Sequence, residues 1–596
     1  MCIRDRTGES LPGVSVVVKG TTNGTVTDVN GKYSIQATSK DILSFTYVGM
    51  AEQDIKVAGQ KTINVVMKDD VASLDEVIVV GYGTAKKQSL TGAVSAVKGD
   101  ELLKAPATNV SSLLGGRLPG ISSVQVSGEP GDDQAVLRVR GSIYNVTYIV
   151  DGMPRSINDI DPNDIESVSV LKDGASAAVY GLKGAGGVII VTTKRGQEGK
   201  SRITYNGSIG ASMNANFPQF MNGPQFAYYY NMADMMDKLA NGSITDMKQY
   251  TPVFTKANVE AMLNGDPTDG WDNVNYIDKV FGTGINQKHN ITVQGGSDKM
   301  RYFTSVGYLG QTGILPNADR QQFNARTNLD LKLNSRLTVR LNLAYIKNDY
   351  SDPISSYASG ISETGDPNSA ASSDQIIRQL NRIAPWIVGR AEDGTYGTIG
   401  DGNPLAWLDV NQTVDRKNQN FSGTLSADYK IIDGLVATVT GSYVNNQQHY
   451  RAFQKYIQYN PNKETEPNRL EERFTGWHRA NFDALLNFDR QFGEHGLKAM
   501  AGWHTEKYDY TYNQQFRKNF PTNDLTDIAA GDAATQKNNG YTRELAMISW
   551  FGRINYDYAG KYLLEGNIRS DASSRFADGN RWGYFPSFSA AWRISE

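Results

Sequence analysis

FNARTNLDLKLN, Phe323 to Asn334, followed after Ser335 and Arg336 by LTVRLNLAY, Leu337 to Tyr345, is the stretch that decides how this chain folds. Phe323, Ala325, Thr327, Leu329, Leu331 and Leu333 alternate with Asn324, Arg326, Asn328, Asp330, Lys332 and Asn334. Successive side chains of a strand point to opposite faces, so this segment makes one apolar surface and one polar surface. The return segment repeats the pattern, with Leu337, Val339, Leu341, Leu343 and Tyr345 against Thr338, Arg340, Asn342 and Ala344. The spacing predicts a β-hairpin whose register survives the turn.

The same alternation recurs in Phe421 to Ile431 with Leu435 to Tyr443, across Asp433-Gly434, a pair suited to a tight hairpin turn. It returns in Phe482 to Phe488 with Leu497 to Trp503, and in Trp550 to Tyr558 with Tyr562 to Ile568. Tyr556, Tyr558 and Tyr562 fall beside the last turn, where a transmembrane barrel carries an aromatic girdle. Long polar segments lie between the hairpins, at Tyr350 to Asn418, Gln448 to Trp477 and Thr511 to Arg543. Short turns on one side and long loops on the other describe an outer-membrane barrel. A soluble β-sandwich or soluble barrel also alternates, burying its apolar face inside. A sandwich with Greek-key crossings, however, has no reason to gather every long connection at one end.

With 596 residues the chain is long enough for several domains. Apolar residues make up 39%, mean hydropathy is -0.45, and no run approaches the roughly 18 apolar residues of a membrane helix. Barrel strands interleave lipid-facing and lumen-facing residues, so such averages do not argue against a barrel. The 31 tyrosines and 59 glycines suit a large β protein rich in turns. A formal charge of -3 without a basic cluster gives no case for nucleic acid. The single cysteine, Cys2, has no internal partner and lies in Met1 to Arg6, a segment that matches nothing downstream and has no apolar run. The expectation is that Met1 to Arg6 is foreign sequence or a truncated start, that an export signal is missing, and that Cys2 is not lipidated.

Thr7 to about Lys68 reads as a small β-sandwich with strands at Val14 to Lys19, Gly24 to Thr27, Tyr33 to Gln36, Ile42 to Tyr47, Asp54 to Ala58 and Thr62 to Met67. Asn23-Gly24 and Asn30-Gly31 mark turns. GESLPGVSVVVKGTTNGTVTDVNGKYSI, Gly8 to Ile35, resembles the carboxypeptidase-regulatory-like domain that precedes the plug in many Bacteroidetes transporters, with its usual first strand expected to be absent. In a linker of residues 71–85, Asp75-Glu76 precedes the β-branched run Val77, Ile78, Val79 and Val80, then Gly81-Tyr82-Gly83. Alone this run is an ordinary buried strand. LDEVIVVGYG in such a linker resembles the TonB-box segment proposed for the SusC/RagA family of TonB-linked outer-membrane transporters.

Residues 86–196 read as an α/β region, with an edge strand at Ser89 to Val97 and a short helix at Asn109 to Leu114 ending at Gly115-Gly116. VLRVRG, Val136 to Gly141, and TYIVDGMP, Thr147 to Pro154, are strands, the second with an Asp-Gly turn. DPNDIESVSVLKDGASAAVYGLKGAGGVIIVTTKRG, Asp161 to Gly196, is similar to the signature end of the SusC/RagA plug. It predicts a strand at Asp164 to Leu171, a helical turn at Ala175 to Tyr180 and a strand at Val188 to Thr193. The plug-motif residues so implied are Arg138, Arg140, Gly141, Asp151, Gly152, Lys172, Asp173, Tyr180 and Gly181. Common family versions read Gly-Ser-Arg-Ala-Ala-Asn-Gly where this chain has Gly181 to Gly187, which puts the local loop contacts in doubt.

No catalytic or metal reading competes well. His289, His449, His478, His495 and His504 show no HExxH or helical ligand spacing. Gly181 to Gly187 lacks both the P-loop ending and the dinucleotide spacing. Asp159, Asp161 and Asn163 open like a calcium loop, but Asp164 and Val170 stand where that loop needs Gly and Glu. No GxSxG elbow occurs, so no enzyme, cofactor or metal is expected.

The resemblance implies a mainly β chain: the periplasmic carboxypeptidase-regulatory-like sandwich, an α/β plug, then, over residues 200–596, part of a transmembrane antiparallel β-barrel with about 12 of about 22 strands. It implies energised import of oligosaccharides or peptides across the outer membrane. TonB, supplied by ExbB/ExbD, would pair with Asp75, Glu76, Val77, Ile78, Val79 and Val80, and a SusD-like lipoprotein would cover the long loops. Trp386, Trp407, Tyr508, Tyr510 and Tyr512 are candidates for sugar stacking, with loop packing the commoner role. The alternative from another class is a surface adhesin or carbohydrate-binding β protein without transport. The wall is expected to end at Ser595-Glu596 with an unpaired edge.

Overall fold

The structure is a computed structural model and describes residues 3–4, 10–19, 21, 23–47, 50–67, 77–81, 83–86, 91–105, 108–265, 270–356 and 373–594. Twelve strands form one sheet in sequence order, each antiparallel to the next. They are Gly199–Ser212, Gly284–Gly296, Met300–Thr312, Asp319–Lys332, Leu337–Pro353, Thr413–Ile432, Leu435–Gln454, Arg469–Phe492, His495–Lys518, Lys537–Tyr558, Tyr562–Ser573 and Trp582–Trp592. The first and last of these do not pair with each other. Connections on one side are the short turns 297–299, 333–336, 433–434, 493–494 and 559–561; the long ones, including 213–283 and 354–412, all lie on the other.

The burial pattern separates the two readings left open by alternation. Along Asp319–Lys332, Phe323 is 49% exposed while its neighbour Asn324 is 8% exposed, and Arg320, Gln322, Arg326 and Asn328 are buried with it. The apolar row faces outward and the polar row inward, the reverse of a soluble sandwich. Outward rows run in register from strand to strand: Phe492, His495, Tyr558, Tyr562 and Trp592 are successive cross-strand partners just above the short turns. Tyr562 stacks on Trp592 at 6.3 Å between ring centroids, so the expected girdle is a continuous aromatic line.

The strands are much longer than their apolar alternation predicts. Arg469–Phe492 and His495–Lys518 have 24 residues each and extend into segments expected as loops. A ladder needs cross-strand partners and not an apolar face. Here polar pairs such as Gln515 Nε2 to Glu472 Oε2 at 2.6 Å carry it onward. The connection 213–283, not anticipated as structured, holds helices Gly223–Ala240, Lys256–Asn264 and Tyr276–Val280. The capping boxes Asn222/Gln225 and Thr255/Asn258 start the first two.

Inside the wall sits a five-stranded mixed sheet in the spatial order Met153–Pro154, Thr147–Val150, Val188–Thr193, Ile165–Leu171, Val94–Lys98. Its core gathers Leu113, Leu137, Val150, Val168, Ile189 and Val191. The expected short helix is Val110–Leu114, and Val188–Thr193 has the predicted bounds. The N-terminal strands Ser15–Val18, Gly24–Val26, Ile42–Tyr47 and Met50–Lys56 make one sheet. Two expectations there are corrected. Tyr33 to Gln36 is not a strand: the Tyr33 hydroxyl donates to the Ile63 carbonyl at 2.9 Å, anchoring the segment by its side chain. The strand expected at Thr62 to Met67 is confined to Val65–Val66, with which Ile3–Arg4, from the segment expected to be foreign sequence or a truncated start, pairs in parallel, burying Ile3.

Replacing outward Leu343 with Arg is expected to lower stability in phospholipid vesicles by about 2–4 kcal/mol, and inward Ala344→Ser by much less. Denaturant unfolding in vesicles measures both, and equal losses would contradict the inside-out assignment.

Candidate functional site

The inner domain is bound to the wall by ion pairs, those of Arg320 and Arg326 buried on both sides. Asp151 and Gly152 both have positive φ, 48° and 87°, the backbone of a two-residue hairpin turn. That turn aims the Asp151 carboxylate at Thr193, whose amide and hydroxyl donate at 3.0 and 2.8 Å, and at Arg326 of the wall at 3.2 Å. Arg326 also stands 3.5 Å from Asp164. Asn328 donates to Thr193 at 2.9 Å and to the Lys194 carbonyl at 2.7 Å. Lys288 meets Asp161 at 2.9 Å, and Arg320 lies 3.7 Å from Asp133. Arg195 pairs with Asp330.

A second seat uses the segment where the chain departs from the common motif. Arg569 donates to the Val179 carbonyl at 2.6 Å, the Leu182 amide donates to Asp571 at 3.3 Å, and Lys183 meets Glu506 at 2.6 Å. Gly181 has φ 55° with Arg569 directly against it, so an added Cβ would stand 2.9 Å from the Arg569 Cδ. Only glycine allows that approach without strain. Tyr180 is buried behind it.

The other motif residues act within the inner sheet. Asp173 caps Gly174–Ala177, accepting from the Ser176 amide at 2.8 Å, and also accepts from the Ala93 amide. Burial raises its pKa, but the bonds from Ser176 and Ala93 outweigh burial and hold it below the usual carboxylate value. Lys172 donates to Ser95 at 2.7 Å, and Arg138 to the Ser142 carbonyl at 3.0 Å. Arg140 and Gly141, with φ 51° and 70°, turn the chain after Ala135–Val139.

Of the segment compared with a TonB box, Asp75 and Glu76 lie outside the described residues. Val77–Val80 is a strand, paired antiparallel with Gly83–Lys86. Val80 is buried in one cluster with Leu171, Val179 and Tyr180. A Cβ on Gly81 would stand 3.0 Å from Tyr180. The strand is thus stored as a hairpin against the same residues that Arg569 holds.

Of the proposed sugar-stacking aromatics, Trp386 and Trp407 pack among the long connections, while Tyr508, Tyr510 and Tyr512 lie on the strand His495–Lys518. Trp407 is buried with its indole N–H on the Tyr459 hydroxyl at 2.5 Å, and Trp386 lies 4.6 Å from Phe226. Tyr508 lies 5.9 Å from Trp477, while Tyr510 and Tyr512 face Tyr541 at 5.9 and 5.2 Å. A cavity of about 490 Å³ opens between Ser127 to Pro130 of the inner domain and the wall at Asn286 and Gln311. Another of about 750 Å³ lies among the long connections. Among the described residues no group of three His, Cys, Asp or Glu gathers to hold a metal.

The wall-side partners Arg326, Lys288, Glu506 and Arg569 escaped sequence reasoning. Their one signal is a full charge on a polar row otherwise rich in amides. Asp164 carries the electrostatic strain: burial first, then the charge of Asp161, pushes its carboxyl up to about 6, and its Oδ1 has no hydrogen-bond partner.

Residues 86–188 match the TonB-dependent Receptor Plug Domain family, and residues 2–79 the CarboxypepD_reg-like domain family. Over its whole length the chain is 30% identical to the TonB-dependent receptor SusC of Bacteroides thetaiotaomicron, covering 58% of that protein. It is 31% identical over 99% of its length to the TonB-dependent receptor P3 of Formosa agariphila, covering 56% of it. The chain therefore spans somewhat over half the length of these curated relatives, which are receptors and not enzymes by name. The RagAB peptide importer in its open-open state shares the fold, with a TM-score of 0.70 over 87% of this chain and 58% of that one at 21% identity.

A carboxyl whose folded pKa lies above its unfolded value, about 3.9 for Asp, binds its proton more tightly in the folded state. Stability contributed by Asp164 is therefore present at low pH and lost as pH rises from about 4 through about 6. Asp164→Asn is expected to flatten that slope and to raise stability at pH 7 by roughly 1–3 kcal/mol. Protease protection of the inner domain across pH 4 to 7 reads both, and a variant that keeps the wild-type slope would assign it to another group.

Proposed function

The chain belongs to the SusC-like TonB-dependent receptors, a family of outer-membrane β-barrels, and from that premise we propose that it serves TonB-driven import of a nutrient oligosaccharide or peptide. The observation that carries this reading is the connection between the stored strand and the wall. Val80 and Gly81 rest on Val179 and Tyr180, while Arg569 grips the Val179 carbonyl and Asp571 the Leu182 amide. A pull on residues 75–80 arrives first at this seat.

In this mechanism, residues 75–80 leave the hairpin and add as a strand to TonB, energised by ExbB/ExbD. Main-chain hydrogen bonds then provide both affinity and mechanical grip. Tension transmitted through Tyr180 and Val179 loosens the inner domain and opens a path along the polar inner face of the wall. The ion pairs at Asp151 and Asp161 keep that path shut at rest: each leaves an uncompensated buried charge if its partner withdraws. On the outside, the connections within 350–418 and 511–543 are the surfaces offered to a SusD-like lipoprotein.

Deleting residues 75–80 is expected to abolish growth on the transported nutrient while leaving its binding at the cell surface intact. Unchanged growth would favour the adhesin reading. Gly81→Val, whose side chain collides with Val179 and Tyr180, is expected to free the strand without ligand. Its readout is site-specific crosslinking to TonB in the absence of substrate, with no increase over wild type counting against a stored strand.

A further inference from the structure

The outward side of the wall carries a groove. Outward residues of four neighbouring strands fall into register: Leu486 opposes Ala501, Ala501 opposes Gly552, and Gly552 opposes Ile568. One row farther from the short turns, Trp503 opposes Trp550. One row nearer them, Phe488 opposes Ala499 and Ala499 opposes Ile554. Small residues thus floor a depression whose rims are Trp550, Ile554, Ile568 and Leu486, all exposed. It comprises two adjoining cavities of about 640 and 500 Å³ that share Leu486, Ala501, Gly552 and Ile568.

Its lower end supplies a charge. Arg490 lies two residues beyond Phe488 on the same outward row, roughly 7 Å along the strand. Its guanidinium carbon is 5.7 Å from the ring of Phe492, the first member of the aromatic girdle. An apolar furrow that descends to an exposed arginine at the girdle has the two-part chemistry of a phospholipid: acyl chain above, phosphate at the interface.

We infer that this groove between Trp503 and Phe488 is a binding site for one phospholipid, with an acyl chain along Ala501 and Gly552 and its phosphate on Arg490. Continuity with the girdle argues for lipid over a second copy of the chain, whose docking would need a matching ridge across the same row.

The site can be filled without disturbing the fold. Gly552 has no left-handed φ, and an added Cβ would meet only the Met500 carbonyl oxygen at 3.4 Å. The test uses the purified full chain in vesicles containing phosphatidylethanolamine with a photoactivatable acyl chain, with labelled residues mapped by mass spectrometry. Labelling is expected to concentrate on Leu486, Ala501, Gly552 and Ile568 and to fall about tenfold in Gly552→Leu. Ala325→Leu, an outward change on the strand Asp319–Lys332, should leave it unaltered. Arg490→Gln should weaken retention of the lipid in detergent. Uniform labelling around the wall, labelling unchanged in Gly552→Leu, or a crosslinked second copy at these residues would each overturn the proposal. The mapping on the unsubstituted protein decides the matter even if a variant fails to fold, and none of these readouts depends on uptake.

Discussion

Arg320 and Arg326 bring two permanent charges to the inner face of the wall, where both are buried. A guanidinium in that position cannot shed its proton and cannot be left without a counter-charge. The inner domain supplies it through Asp133, Asp151 and Asp164. The wall and the domain within it therefore complete each other, and the rest of the molecule is arranged around keeping them together. The Asp151-Gly152 turn, the glycine at 181 and the cap at Asp173 are local devices that hold the inner domain's side of this contact in place.

The distribution of stress over the two seats is unequal. On the side of Arg326, Asp151, Asp161 and Asp164 face Arg326, Lys288 and Arg155, and burial together with the charge of Asp161 raises the affinity of Asp164 for a proton. On the side of Arg569 the contacts are main-chain groups and paired charges, with Lys183 answered by Glu506. The first seat is adjustable by protonation, and the second is set by geometry. The stored strand at Val77–Val80 rests on the geometric one.

The hairpins were legible because side chains alternate with period two and because Asp433-Gly434 and similar pairs fix the register. The line of aromatics could be glimpsed from Tyr558 and Tyr562 but not joined up, since it depends on which residues stand opposite across several turns. Strand ends were illegible: the alternation stops where the apolar band stops, while polar pairs such as Gln515 with Glu472 continue the ladder. The seats were illegible for a different reason. Asp151 and Arg326 are 175 residues apart, and Val179 and Arg569 are 390 apart, so neither pairing leaves a local mark. What the motif strings did indicate was one partner in each pair, since Asp151, Tyr180 and Gly181 all belong to or adjoin the contacts.

Strand length has a consequence for the mouth of the wall. The 24 residues of Arg469–Phe492 extend roughly 80 Å at about 3.3 Å each. Tilted by about 40°, they rise on the order of 60 Å, against an apolar band of about 25 Å. Because the girdle sits near the short turns, most of the surplus height stands on the side of the long connections. Along these strands the wall thus stands clear of the lipid by some 30 Å, whereas the 13 residues of Gly284–Gly296 end close to it, so the height that a molecule arriving from solution meets is uneven around the wall.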